Sequence, residues 1–488
     1  MANHKLNTNR PVGLIDADLL CKGTRHPNLV LLKLAGYFRD HKIPYELITD
    51  NNINLDQYQR IYLSRVFVFT NLPKFIEEYI KTHPKTWKRK IQMGGTGFYA
   101  LEEDKTKFSK LRMDDMNRLS CDPYLVGFSM AHQMPDYNLY DNFIDDEVQK
   151  MVESDCKKHL QKFREEPTKE ELKKFDLKHR KKYKDYLYYS IGFLTRGCFR
   201  KCPFCVNKLE NRIHKYSELS WFLDNERDEK GKLKRPYIYL WDDNFLASPP
   251  SVWRSLLREL METGRPFQFR QGLDERMIAE SPYGEEMAKT LSKCKYHGDY
   301  IFAFDNWEDR PKIEKALKIW KRYNRKETKF YLFCGYKLTS GNDEYLYNDI
   351  KVLFDRIHLL MQYGCFGYVM RHADYENHSL SSLYVQIARW CNQPQFYRHM
   401  SFWEYCYRNQ SFWEQNTKHL DVPNQIPYEE FERRYRSGYY KQPGMRLCKT
   451  MQTFMDFMDR FPEHQDEILR MSDYKLTTLT DPLLWENN

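Results

Sequence analysis

The sequence predicts an α/β protein with two sheet-containing domains and a helical C-terminal extension. Three observations lead there. Short apolar runs alternate with segments of helical spacing, the pattern of strands covered by helices. One highly charged stretch, 157–184, interrupts that alternation and marks a boundary. Polar or reactive residues stand at the ends of the later runs, where βα folds place their chemistry.

Taken in order, Val12–Asp16 (VGLID) reads as a buried strand. Asn28–Arg39 has helical spacing and follows Pro27, a good helix-start residue. Tyr45–Thr49 and Arg60–Thr70 read as strands, Leu72–Lys81 as a helix, and Lys90–Met93 as a fourth strand ending in Gly94-Gly95-Thr96-Gly97. Residues 1–145 thus predict one doubly wound, Rossmann-like domain. Residues 146–186 predict a charged helical linker, either a solvated face or a contact for nucleic acid. Residues 187–375 resume the alternation with strands at Tyr189–Leu194, Tyr237–Trp241, Phe267–Arg270, Tyr300–Phe304, Phe330–Phe333 and Gly367–Met370. Pro250–Thr263 and Pro311–Tyr323 carry helical signals between them. Six such units predict a partial, TIM-like (βα)6 barrel. Residues 376–488 predict a helical C-terminal cap. Its aromatic run 390–407 reads as core packing or as a base-stacking platform for RNA.

The chain has 488 residues, 16% aromatic and 30% charged. It is long enough for two or three packed domains. No apolar stretch approaches the roughly 18–20 residues of a spanning helix, and the N-terminus lacks the apolar core of a secretory signal. No membrane partner is expected, and the expected location is cytoplasmic. The net charge of +10 permits an anionic partner without demanding one. The twelve cysteines are then thiols, metal ligands or core residues.

Three of the twelve fall within Gly197-Cys198-Phe-Arg-Lys-Cys202-Pro-Phe204-Cys205, directly after the first barrel strand. Three thiolates at this spacing can converge only on an irregular loop, and Gly197 relieves its backbone. Soft sulfur donors suit iron–sulfur or zinc. A [4Fe–4S] cluster takes four ligands, so three local cysteines leave one iron open. The zinc alternative uses the same cysteines with His214 as fourth ligand.

CxxxCx-aromatic-C at this place resembles the signature of the radical S-adenosylmethionine (radical SAM) superfamily. LTRGC, LWDDNF, FRQGLD and FAFDN resemble the subset with an N-terminal cobalamin-binding-like domain. The resemblance implies that Cys198, Cys202 and Cys205 ligate a [4Fe–4S] cluster and that Phe204 takes the aromatic position. It further implies that the open iron binds S-adenosylmethionine. One electron then cleaves the sulfonium and yields a 5′-deoxyadenosyl radical, which abstracts hydrogen from a small-molecule, peptide or RNA substrate for modification, rearrangement or methylation. A one-electron reductant such as flavodoxin or ferredoxin is implied. Asp243 and Asp305 are candidates for the ribose hydroxyls or the methionine amine, and Arg270 for the carboxylate; ion pairs across the barrel mouth are the alternative. A bound cobalamin is not the expectation, since no Asp-x-His-x-x-Gly occurs; a degenerate domain that shapes the substrate cleft is. The competing class is a non-catalytic zinc- or cluster-containing nucleic-acid-binding protein.

Overall fold

A computed structural model of the chain describes residues 9–24, 26–51, 53–98, 119, 122–205, 207, 210–418 and 427–480. The fold is mixed α/β, with parallel sheets and many helices. The chain divides into two compact units, Met1–Asn244 with Ser251–Gln268, and Phe245–Pro250 with Phe269–Asn488.

In the first unit, β1 (Val12–Asp16), β2 (Tyr45–Leu47), β3 (Arg60–Ser64) and β4 (Ile91–Gly94) form a parallel sheet in the order β2-β1-β3-β4. The central strands β1 and β3 are buried throughout, as in a sheet covered on both faces. Val12, Leu14 and Tyr62 pack against Leu31, Leu34, Ala35 and Phe38 of the helix Leu29–Asp40. Ile15, Ile61 and Leu63 turn the other way, toward Ile76 of the helix Lys74–Thr82. The strand period of two meets the helical period of 3.6 on each face. Asn28 starts the first of these helices, its side chain accepting from the Leu31 amide at 3.3 Å.

The sequence extends the third strand to Thr70, and the structure ends it at Ser64. Asp18 captures the segment beyond that end. Its carboxylate accepts from the Val66 and Phe67 amides at 2.6 and 3.3 Å and from the Thr70 hydroxyl at 2.6 Å, so these groups leave the ladder. The glycine run after β4 packs on the same loop. Gly95 has φ +113°, and a Cβ there would lie 2.2 Å from the Arg65 carbonyl oxygen. The close approach this glycine permits is thus to the protein's own backbone. Tyr99, Ala100 and Cys121 lie outside the described residues.

The charged stretch forms two helices, Asp141–Phe163 and Lys169–Arg180, the second opened by a Thr168–Glu171 capping box. Ile144, Val148, Tyr183 and Tyr186 pack with Tyr137 and Tyr140, while Leu160, Phe163, Leu172 and Leu177 are exposed. Next in the chain come β5 (Tyr189–Gly192), β6 (Thr195–Arg196), β7 (His214–Lys215), β8 (Tyr237–Leu240) and β9 (Phe267–Phe269). β5, β8 and β9 make one sheet, with β5 and β8 parallel, and β6 and β7 a short antiparallel ribbon.

In the second unit, β10 (Tyr300–Ala303), β11 (Thr328–Cys334) and β12 (Phe366–Arg371) form a parallel sheet. All six strands expected of a barrel are present, but hydrogen-bonded as two ladders of three rather than one of six. The chain turns at 270–272, leaving a single parallel bridge between Leu273 and Phe302. The C-terminal aromatic run is core. Trp390, Tyr397, Phe402, Trp403, Tyr405 and Tyr407 are buried, and Trp403 packs 5.0 Å from Phe454. Cys334, Cys365, Cys391, Cys406 and Cys448 are buried too, and burial pushes each thiol upward, away from the thiolate.

Asp16 ends β1, accepting from the Leu19 amide at 3.2 Å and the Tyr140 hydroxyl at 2.8 Å. Burial pushes its carboxyl up to about 6, those bonds pulling the other way. Between pH 4 and 6 the folded chain therefore keeps a proton that the unfolded chain has lost. This contribution to stability is full below pH 4 and falls as pH rises, by about 3 kcal/mol across the window. Asp16→Asn should flatten that part of the urea-midpoint curve against pH; an unchanged slope would contradict the assignment.

Candidate functional site

The cysteine loop is built from its base upward. Arg196 pairs with His214 in the β6–β7 ribbon, and the Cys198 amide donates to the Glu210 carbonyl at 2.9 Å. Between them Gly197 has φ +94°, and a Cβ would fall 2.0 Å from the Arg212 carbonyl oxygen. No other residue fits there without moving the chain that leads into β7. Cys198, Cys202, Phe204 and Cys205 are half-buried on the loop, with a turn from the Cys205 amide to the Cys202 carbonyl at 3.1 Å. Val206, Lys208 and Leu209 lie outside the described residues. Among the described residues no three His, Cys, Asp or Glu side chains stand close enough together to hold a metal ion. The fold brings the three thiols to one loop, not into one coordination shell. His214 is exposed on β7, its Nδ1 3.4 Å from the Arg212 carbonyl.

Three consecutive residues leaving β8 hold this loop. Asp242, 1% exposed, accepts from the Leu194 amide at 3.2 Å, the Thr195 amide at 2.6 Å and the Thr195 hydroxyl at 2.7 Å. Burial pushes its carboxyl up to about 6, those donors pulling it back. Asp243 accepts from the Gly197 amide at 2.8 Å and pairs with Arg196 at 3.2 Å. Burial raises this carboxyl also, and the Arg196 cation lowers it. The Asn244 amide donates to Cys198 Sγ at 3.4 Å. Asp243, expected to bind a cofactor, is thus placed on the backbone of the cysteine loop.

Arg270 and Asp305 belong to the second unit. Arg270 is half-buried just beyond β9; burial raises the Tyr331 phenol, and the Arg270 charge offsets part of that rise. Asp305 lies just after β10 and accepts from the Phe333 amide at 3.3 Å. Burial raises its carboxyl and Arg356 lowers it. Arg356, 1% exposed, comes from the helix Asp343–Gln362 and donates to the carbonyls of Phe304, Asp305 and Phe333 at 2.8, 2.9 and 3.0 Å. Glu275, 2% exposed, accepts from the Ala303 amide at 3.1 Å; burial and then Asp274 push its carboxyl well above the usual range. Arg371 donates to the Tyr375 hydroxyl at 3.0 Å.

Sequence reasoning passed over Asn244, Glu275 and Arg356. Asn244 stands in LWDDNF, directly after Asp243. Arg356 had a clear signal: a cation in helical phase with Leu353, Ile357 and Leu360, all buried.

No protein-family model matches the chain, and no curated protein matches it. Two solved structures are similar to it. One is the cobalamin-dependent S-adenosylmethionine radical enzyme OxsB with aqua-cobalamin bound, 13% identical, with 94% of this chain and 62% of that chain covered and a TM-score of 0.29. The other is apo, selenomethionine-labelled OxsB, 14% identical, covering 74% and 49% respectively, with a TM-score of 0.30. The chain thus spans about three fifths of the first of these at most. Among the described residues no helix is long and apolar enough to cross a membrane.

Asp242→Ala should strip three buried donors of their acceptor, at a cost of about 3 kcal/mol. The urea midpoint should fall accordingly, and the Thr195 amide should exchange its hydrogen faster. A variant with wild-type stability and protection would show that the loop does not depend on Asp242.

Proposed function

We propose that this chain is a radical SAM enzyme in which Cys198, Cys202 and Cys205 hold a [4Fe–4S] cluster. The observation that carries the reading is a CxxxCxxC loop anchored at its base, with an amide N–H directed at one of its sulfurs. The donor chemistry fits the cluster: three soft sulfurs on a half-exposed loop, with no carboxylate between 198 and 205. When bound there, the cluster supplies one electron to S-adenosylmethionine, and the resulting 5′-deoxyadenosyl radical takes a hydrogen atom from the substrate.

The protein's own part is placement. Asp242 and Asp243 fix the strand exit from which the thiols project. Phe204 lies on the loop itself. Arg270, for a carboxylate, and Asp305, for ribose hydroxyls or an ammonium group, keep those assignments on chemistry alone. The domains of this reading are the cobalamin-binding-like 1–145, the linker 146–186, the barrel 187–375 and the cap 376–488. Cobalamin belongs in it as a possible second cofactor: Val66, Val68 and Phe69, beyond the end of β3, are exposed and apolar. The electron comes from a one-electron reductant of the flavodoxin or ferredoxin class. The substrate is a small molecule, a peptide or RNA, and the setting is the cytoplasm.

Anaerobic reconstitution with iron and sulfide should give a brown protein that forms 5′-deoxyadenosine from S-adenosylmethionine after dithionite reduction. Cys202→Ala should lose both the colour and the product. Tightly held zinc with no cleavage in the wild type, or full activity in the variant, would overturn the proposal.

A further inference from the structure

We infer that Asn244 sets the reduction potential of the centre held by Cys198, by donating its side-chain N–H to the Cys198 sulfur. The inference rests on the proposed function and adds to it a residue that touches a ligand sulfur. Asn244 is 2% exposed, and its Nδ2 lies 3.4 Å from Cys198 Sγ. Its place is fixed through the chain. Asp242 and Asp243, immediately before it, bind the residues immediately before Cys198, namely Leu194, Thr195, Arg196 and Gly197. Donor and sulfur therefore ride on two short segments clamped to each other.

The direction of the effect comes from charge. A [4Fe–4S]2+ centre that takes up one electron becomes [4Fe–4S]1+, and its ligand sulfurs grow more negative. An N–H directed at such a sulfur stabilises the reduced form more than the oxidised one, and hydrogen bonds to sulfur are among the determinants of cluster potential. Burial of Asn244 strengthens the interaction, since little water competes for its N–H. The carboxylates of Asp242 and Asp243 act in the opposite sense, disfavouring added negative charge. Asn244 is thus the one of the three strand-exit residues whose side chain favours reduction. An aspartate at 244 would have nearly the same shape, but when ionised no N–H to give.

The test is a mediator-poised EPR titration of reconstituted full-length protein, with dithionite as the electron source. Asn244→Leu should load wild-type amounts of iron and sulfide. Its reduced-to-oxidised ratio at a fixed potential should fall several-fold; a tenfold fall corresponds to about 59 mV for one electron. Asn244→Asp should fall at least as far. An unchanged or raised potential in a fully loaded Asn244→Leu protein overturns the inference and leaves the proposed function standing. Should that variant load no cluster, Asn244→Asp decides by the same criterion; if neither loads, Asn244 is structural and the inference falls. A wild-type protein that loads no iron–sulfur centre fails earlier, on iron and sulfide content, and defeats the proposed function itself.

Discussion

One buried carboxylate carries the first unit's candidate site. Asp242 takes two amides and a hydroxyl where the chain leaves β5 and starts the cysteine loop. Donors at such an exit have left the sheet ladder, and buried donors need partners. A water molecule would satisfy them without fixing a direction. A side chain from the neighbouring strand fixes one, because β5 and β8 are locked in register from Tyr189–Tyr237 to Gly192–Leu240. The geometry of the thiols is thus set by a strand they do not belong to.

The second unit solves the same problem with the opposite charge. Where β10 and β11 end, carbonyl oxygens are left over, and Arg356 reaches out of its helix to take three of them. Anion for amides in one unit, cation for carbonyls in the other: each buried ion is surrounded by the backbone polarity that stabilises it. Both groups nevertheless bear the cost of leaving water, which shows in the upward shift at Asp242 and the downward shift at Arg356.

Much of this was legible in the sequence because the signals were local. The ten strands read from apolar runs all exist, since a buried parallel strand writes itself as an unbroken apolar stretch. The helix read from Asn28 on its apolar spacing and the preceding Pro27 is there, from Leu29 to Asp40. What failed was nonlocal. The early end of β3 depends on Asp18, which is distant in sequence from Thr70. The division of the barrel strands into two ladders depends on where hydrogen bonds stop, and composition does not record that. At the candidate site, spacing singled out three cysteines that the structure carries on one loop. The role of Asp243 as an anchor required knowing which backbone amide its carboxylate meets. The aromatic run near 400 showed the same ambiguity: its residue types suit stacking on bases equally well, and only burial decides for core.

The closure at the base of the cysteine loop also fixes an order of events. Arg196 pairs with His214, and Cys198 with Glu210, through the polypeptide alone. The entropy of bringing the loop's two ends together is therefore lost during folding. This differs from a small zinc domain, where metal binding and folding are one transition. Here backbone contacts alone close the base of the loop, and that closure needs no metal.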